Sequence, residues 1–218
     1  MKSILITAGS TSVPIDNVRV ISNIFRGRTG HAIAQSAAAA GHRVTLLTSG
    51  PGSDPIWEAP GIDARRYKTF DDLRALMEKK ILTGGYDAIV HSAAVSDYRV
   101  SAVRAGEVRL ADRETGAKIR SDHASLTIEL VPTEKLVDLI RDPWGFTGTL
   151  VKFKLQVGLV DEELIRIARR SMETSAADLI VANCLEWARE YAYVLDRQGG
   201  CERVTRQELP AALLRRFA

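Results

Sequence analysis

The stretch Ile4-Leu5-Ile6-Thr7-Ala8-Gly9-Ser10-Thr11 decides the fold. A short β-branched run stops at small residues that turn the chain, so it reads as a buried strand ending in a loop. Downstream, Gly30 to Ala40 is Ala-rich, is stopped by Gly41 and reads as a helix. Arg43 to Thr48 is the next apolar strand, closed by Gly50-Pro51-Gly52. The spacing predicts a helix over Asp71 to Leu82, ended by Gly84-Gly85, and a third core strand over Asp87 to His91. Strand and helix alternate at βαβ spacing, which implies an α/β protein with a Rossmann-like, doubly wound, mainly parallel sheet.

Outside that unit the periodicity is uneven. Ser12 to about Gly27 is irregular, and Val100 to Arg120 mixes charges with small residues and reads as too polar for a core. Leu126 to Val131 alternates as a strand, Thr133 to Ile140 fits a capped helix and Leu150 to Leu155 is again a strand. Asp161 to Thr174 is a helix whose acidic first turn suits its dipole. Asp178 to Asn183 returns to the sheet, Tyr191 to Val194 alternates, and a last helix is expected over Leu209 to Phe217. No repeat, low-complexity segment or linker interrupts the chain, so residues 1–218 read as one domain.

Composition narrows the function. The 218 residues carry a net charge of +3, too little to argue for nucleic acid but suited to a site for phosphates and carboxylates. The apolar run at the N-terminus is too short for a signal segment, and no stretch approaches the roughly 20 apolar residues of a membrane helix. A cytoplasmic protein without membrane or nucleic-acid partners is the expectation. Cys184 and Cys201 have no metal-type or redox-type spacing. A disulfide between them is the minor reading in such a compartment.

Four segments carry candidate chemistry. In open α/β sheets ligands bind beyond the carboxyl ends of the strands. A dinucleotide fingerprint would place three glycines in one turn, whereas Gly9 is separated from Gly27 and Gly30 by a long insertion. Gly27-Arg28-Thr29-Gly30 still precedes a helix whose free N–H groups suit phosphates, unless the glycines serve only the turn. Ala93-Ala94-Val95-Ser96-Asp97-Tyr98-Arg99 follows a strand; its small residues permit close approach of a ligand. Asp97 either holds a nucleotide or metal there or caps a turn. In Ala117-Lys118-Ile119-Arg120-Ser121 both cations face one side of an extended chain, toward a triphosphate or toward solvent. Phe153, with Lys152 and Lys154 around it, and Asn183 sit at the ends of two late strands. Phe153 reads as core or as a base-stacking ring.

Taken in order, these segments resemble the phosphopantothenate–cysteine ligases. The likeness rests on Thr7 to Thr11, Pro14-Ile15-Asp16 with Arg19 and Ile21-Ser22-Asn23, Ala93 to Arg99, Lys118 to Ser121, Phe153-Lys154-Leu155 and Asp178 to Asn183. It covers nearly the whole chain. It implies a ligase that couples 4′-phosphopantothenate to cysteine in coenzyme A biosynthesis through an acyl-nucleotide formed from CTP or ATP, with Mg²⁺ expected. On this resemblance Asn23, Asp97 and Lys118 are catalytic, and Arg19, Asn23, Ala93 and Ala94 bind the substrate. Gly9, Gly27, Gly30, Asp97, Lys118, Phe153 and Asn183 bind the nucleotide. It also implies a homodimer in which the segment after Tyr98 forms a dimerisation arm.

Three departures stand out. Ile24-Phe25-Arg26 replaces a hydroxyl-rich segment, Asn183-Cys184 replaces an Asn-Asp pair, and Gly9-Ser10 replaces two glycines. They leave open a diverged paralogue that takes another acid or binds nucleotide without full catalysis. A Rossmann-like oxidoreductase using NADP or flavin is the remaining alternative, opposed by the missing fingerprint.

Overall fold

A computed structural model of the chain describes residues 1–51, 54–111 and 118–217. The first strands are β1 (Ser3–Ala8), β2 (Ser12–Pro14), β3 (Val20–Ser22), β4 (Arg43–Thr48), β5 (Ile62–Arg66) and β6 (Ala88–His91). They are followed by β7 (Tyr98–Ala105), β8 (Val108–Ala111), β9 (Thr127–Pro132), β10 (Thr149–Gln156), β11 (Leu179–Cys184), β12 (Tyr191–Asp196) and β13 (Cys201–Thr205). The helices are α1 (Arg28–Ala39), α2 (Phe70–Gly84), α3 (Leu136–Leu139), α4 (Asp161–Thr174) and α5 (Leu209–Leu214).

Eight strands form the main sheet in the order β13-β12-β11-β10-β6-β1-β4-β5. All its pairings are parallel except those of β12 and β13. Central strands such as Ile4-Leu5-Ile6 are apolar on both faces because helices cover both. Ile4, Ile6, Val44 and Val181 face α1 and α5, with Ile33 and Leu213 opposite them. Leu5, Ile89 and Ile180 face the other side, against Leu73 of α2, Leu136 of α3 and Leu164 of α4. The strand order runs outward from β1 in both directions, so the topological switch lies between β1 and β6, where an α/β sheet opens a crevice.

The expected Rossmann-like architecture is therefore present, with differences in detail. The Ser12–Gly27 segment contains the short antiparallel hairpin β2–β3. β5 adds an edge strand. The Val100–Arg120 arm is not too polar for a core: β7 pairs with β8 and β9, and Val100, Val103 and Ile119 are buried with Val13. Residues 112–117 of the arm, including Ala117, lie outside the described residues. The helix expected over 133–140 is limited to Leu136–Leu139.

Candidate functional site

At the switch point the loops after β1 and β6 are joined by their backbones. Ala94 N donates to Gly9 O at 2.8 Å, Thr11 N donates to Ala94 O at 3.3 Å, and Ser10 bridges to Ala94 in parallel register. Side chains add to the seam. Ser96 N donates to Thr11 Oγ1 at 2.8 Å, and Ala93 N to Thr7 Oγ1 at 3.1 Å. Thr7 Oγ1 also lies 3.0 Å from His91 Nδ1. Burial, followed by the nearby Lys152 charge, pushes the His91 pKa down to about 4.

The glycines far apart in sequence meet here. Gly9 has a left-handed φ of 90°, and a Cβ on it would lie 2.1 Å from Ser49 Oγ. A Cβ on Gly27 would lie 2.6 Å from Gly9 N, and one on Gly30 2.6 Å from Ala8 Cβ. The first turn of α1 is thus pressed onto the end of β1, as only residues without side chains allow. Gly27 caps α1 without a side-chain bond, which leaves the first N–H groups of the helix facing the rim.

Asn23 joins the same seam: its Nδ2 donates to Ala94 O at 3.3 Å, leaving a second amide proton. Ser10, where a second glycine was expected, holds this loop. Its Oγ lies 3.0 Å from Phe25 O and 3.2 Å from Asn23 O. Asp97 pairs with Lys135, and its carbonyl accepts from Thr133 N at 2.9 Å. Phe25 is 39% exposed.

The arm reaches the site through other groups. Asp16 accepts from Val18 N, Arg19 N and Ile119 N at 2.8, 2.7 and 3.1 Å. Arg19 Nη2 donates to Asp16 Oδ2 at 2.6 Å and to Ile119 O at 2.7 Å. The Arg19 guanidinium, against the opposing effect of burial and with the help of these backbone donors, holds the Asp16 carboxyl far below the usual carboxylate range. Lys118 is exposed immediately before the moored Ile119. Arg19 spends Nε and Nη2 on Asp16 and Ile119, so two of its donor nitrogens have a structural task alongside any substrate contact.

Phe153 and Asn183 lie on the α1 face of the sheet, where Leu155 is in register with Asn183. Phe153 packs partly into the core, and Asn183 is buried at the strand end. Cys184 points to the opposite face with Sγ 3.6 Å from Leu159 O, and both cysteines are free. Among the described residues no cluster of three or more His, Cys, Asp or Glu side chains could hold a metal ion. No described helix is long and apolar enough to cross a membrane.

The structure brings Gly9, Gly27, Gly30, Asn23, Ala93 and Ala94 into one seam, with Asp97 at its edge and Lys118 on the neighbouring arm. Sequence reasoning missed Ser10, Asp16 and Lys135 as organisers. Only Asp16 carried a local signal, as an acid two residues before the Val18 N–H it accepts.

Residues 1–199 match the family described as DNA/pantothenate metabolism flavoprotein C-terminal domain. The coenzyme A biosynthesis bifunctional protein CoaBC of Thermococcus kodakarensis is 36% identical over 187 residues, 85% of this chain. CoaBC of Escherichia coli K12 is 31% identical over 181 residues, 83% of this chain. The chain spans only 42% and 40% of the length of these two curated relatives. The DNA/pantothenate metabolism flavoprotein of Streptococcus pneumoniae superposes with a TM-score of 0.83 at 29% identity, covering 100% of this chain and 98% of that one. The C-terminal domain of a CoaBC protein shares the fold, with a TM-score of 0.74 at 22% identity over 99% of this chain and 93% of that one.

Proposed function

The chain belongs to the DNA/pantothenate metabolism flavoprotein C-terminal domain family, and from that premise we propose that it joins 4′-phosphopantothenate to cysteine at the expense of a nucleoside triphosphate. The observation that carries the reading is the seam itself, where the glycine loop, Asn23 and the Ala93–Asp97 loop converge at the sheet's switch point.

A carboxylate acylates poorly until one of its oxygens becomes part of a good leaving group. In the first step a carboxylate oxygen attacks the α-phosphorus of CTP or ATP, and pyrophosphate departs. The amine of cysteine then attacks the acyl carbon, loses a proton, and the nucleoside monophosphate leaves. The helix N–H groups behind Gly27 meet phosphate oxygens, and Lys118 offsets charge on the departing pyrophosphate. The second amide proton of Asn23 is free for the oxygen that becomes negative at the acyl carbon. Holding acid and nucleotide in line supplies much of the remaining rate. Mg²⁺ would arrive on the triphosphate, held mainly by phosphate oxygens and water, and would neutralise part of its charge.

The reading extends to the whole of residues 1–218 as one cytoplasmic domain that works as a homodimer through the arm, where Tyr98, Val108 and Leu130 are exposed. The deciding experiment measures pyrophosphate release with each nucleotide, Mg²⁺ and 4′-phosphopantothenate before cysteine is added. Release and a trappable acyl-nucleotide are expected. Release that strictly requires cysteine, with nothing trapped, overturns the two-step scheme.

A further inference from the structure

We infer that Arg206, acting with the Thr29 hydroxyl, is a further phosphate-binding element of the nucleotide site. The inference rests on the nucleotide reading above and adds a residue from beyond the segment, 1–199, that matches the family.

Arg206 lies in the turn between β13 and α5, and its backbone N donates to Glu190 O at 2.9 Å, which fixes the residue. Its side chain crosses to α1, where Nη2 donates to Thr29 Oγ1. No carboxylate pairs with this half-buried guanidinium among the described residues, and Nη1 is shielded from solvent without an acceptor. Burial alone lowers its affinity for a proton. A cation so placed is costly unless an anion meets it.

The surroundings make the imbalance larger. Thr29 stands between Gly27 and Gly30 in the first turn of α1, the positive end of that 12-residue helix. That turn has no acid and no side-chain cap, and it contains Arg28 as well. Because the Thr29 oxygen accepts from Arg206, the Thr29 proton remains free to be donated onward. Phosphoryl oxygens supply what is missing: negative charge for the guanidinium and an acceptor for the hydroxyl. They are present both in a nucleoside triphosphate and in the phosphate of the acid substrate. The position beside Gly27 and Gly30 assigns Arg206 to the triphosphate.

The test is calorimetric binding of CTP, ATP and 4′-phosphopantothenate, each alone, to the wild-type chain, Arg206→Gln, Arg206→Lys and Thr29→Val, with a thermal melt of each. Arg206→Gln is expected to weaken triphosphate binding about tenfold or more, the usual loss for a hydrogen bond to a charged group. Binding of 4′-phosphopantothenate should stay within about twofold, since it does not use this charge. Arg206→Lys should fall between, because a point charge replaces a fork. Thr29→Val should lose roughly three- to fivefold, as for a neutral donor.

Unchanged triphosphate affinity in Arg206→Gln overturns the assignment, as does a loss confined to 4′-phosphopantothenate. Equal losses for both ligands with a lowered melting point would make Arg206 a clamp between α1 and the tail. If Arg206→Gln does not fold, Thr29→Val decides in the same way. A wild-type chain that binds neither triphosphate defeats the nucleotide reading itself. Binding by the wild type without loss in the variants defeats only the role of Arg206.

Discussion

The loops after β1 and β6 are stitched by main-chain bonds such as Ala94 N to Gly9 O at 2.8 Å, whereas residues 118–120 of the arm are moored through the side chains of Asp16 and Arg19. A backbone seam persists through most substitutions because every residue type carries the groups that make it. A side-chain mooring disappears with one codon. One half of the candidate site is thus a property of the fold and the other half a property of two residues, so catalysis and stability should separate between them.

The sharpest separation is expected at Lys118. Lys118→Gln keeps the length and removes the charge, and should slow acyl-nucleotide formation by roughly 10²-fold or more, the loss seen on removing one electrostatic stabiliser. The melting point should barely move, since an exposed charge contributes little to folding. Single-turnover measurement of the two half-reactions checks it, and an unchanged activation rate returns Lys118 to the role of a solvated cation.

Acid should strike the seam before the mooring. His91 in the folded chain takes a proton only near pH 4, against about 6.5 in an unfolded chain. The unfolded state therefore binds the proton first. The stability is fully present above pH 6.5 and is lost as the pH falls to about 4, by about 3 kcal/mol in total. Asp16, held far below the usual range, stays ionised throughout that window. Denaturant titrations from pH 7 to pH 4 should show the slope in the wild type and its loss in His91→Gln; an equal slope in both assigns the effect elsewhere.

A smaller break in the seam is Gly30→Ala. The new methyl would meet Ala8 Cβ at 2.6 Å and Thr7 O at 3.1 Å, so α1 must shift at a cost of about 2 kcal/mol. An unaltered denaturation midpoint would mean that the helix gives way freely. The least effect is expected at the boundary between the two regions. Phe25→Ser restores a hydroxyl beside the glycine loop and should strengthen binding of nucleotide and 4′-phosphopantothenate by about 1 kcal/mol. Weaker binding of both in calorimetry would show the ring to be adapted to another ligand or to packing.

The regular part of this design was legible from the chain alone, because β1, β4, β6, β10 and β11 are short apolar runs at βαβ spacing and α1, α2 and α4 are periodic. β5 escaped because Ile62-Asp63-Ala64-Arg65-Arg66 is an edge strand with little apolar content. β7 escaped because its register shifts between Val100 and Ala102, which breaks the two-residue period of its buried face. Gly9, Gly27, Gly30, Ala93 and Ala94 flank or open the readable elements β1, α1 and β6, whereas Asn23, in a segment read as irregular, was reached only through the order of the motifs. The partners that organise them did not announce themselves. Ser10 acts on carbonyls 13 and 15 residues away, and Arg206 on a hydroxyl 177 residues away, distances at which no periodicity survives.

The bond from Ile119 N to Asp16 joins positions 103 residues apart. Between them lie β4, β5 and β6, half of the strands that pair in parallel, so the span closes over an already strand-rich stretch of chain. Closing so long a loop costs chain entropy, which the bonds of Ile119 to Asp16 and to Arg19 offset only once both ends are in place. Residues 118–120 are therefore expected to dock after β4, β5 and β6 have paired, and amide exchange at Ile119 checks that order. Lys118, which immediately precedes the moored Ile119, would then take its place only when that loop has closed.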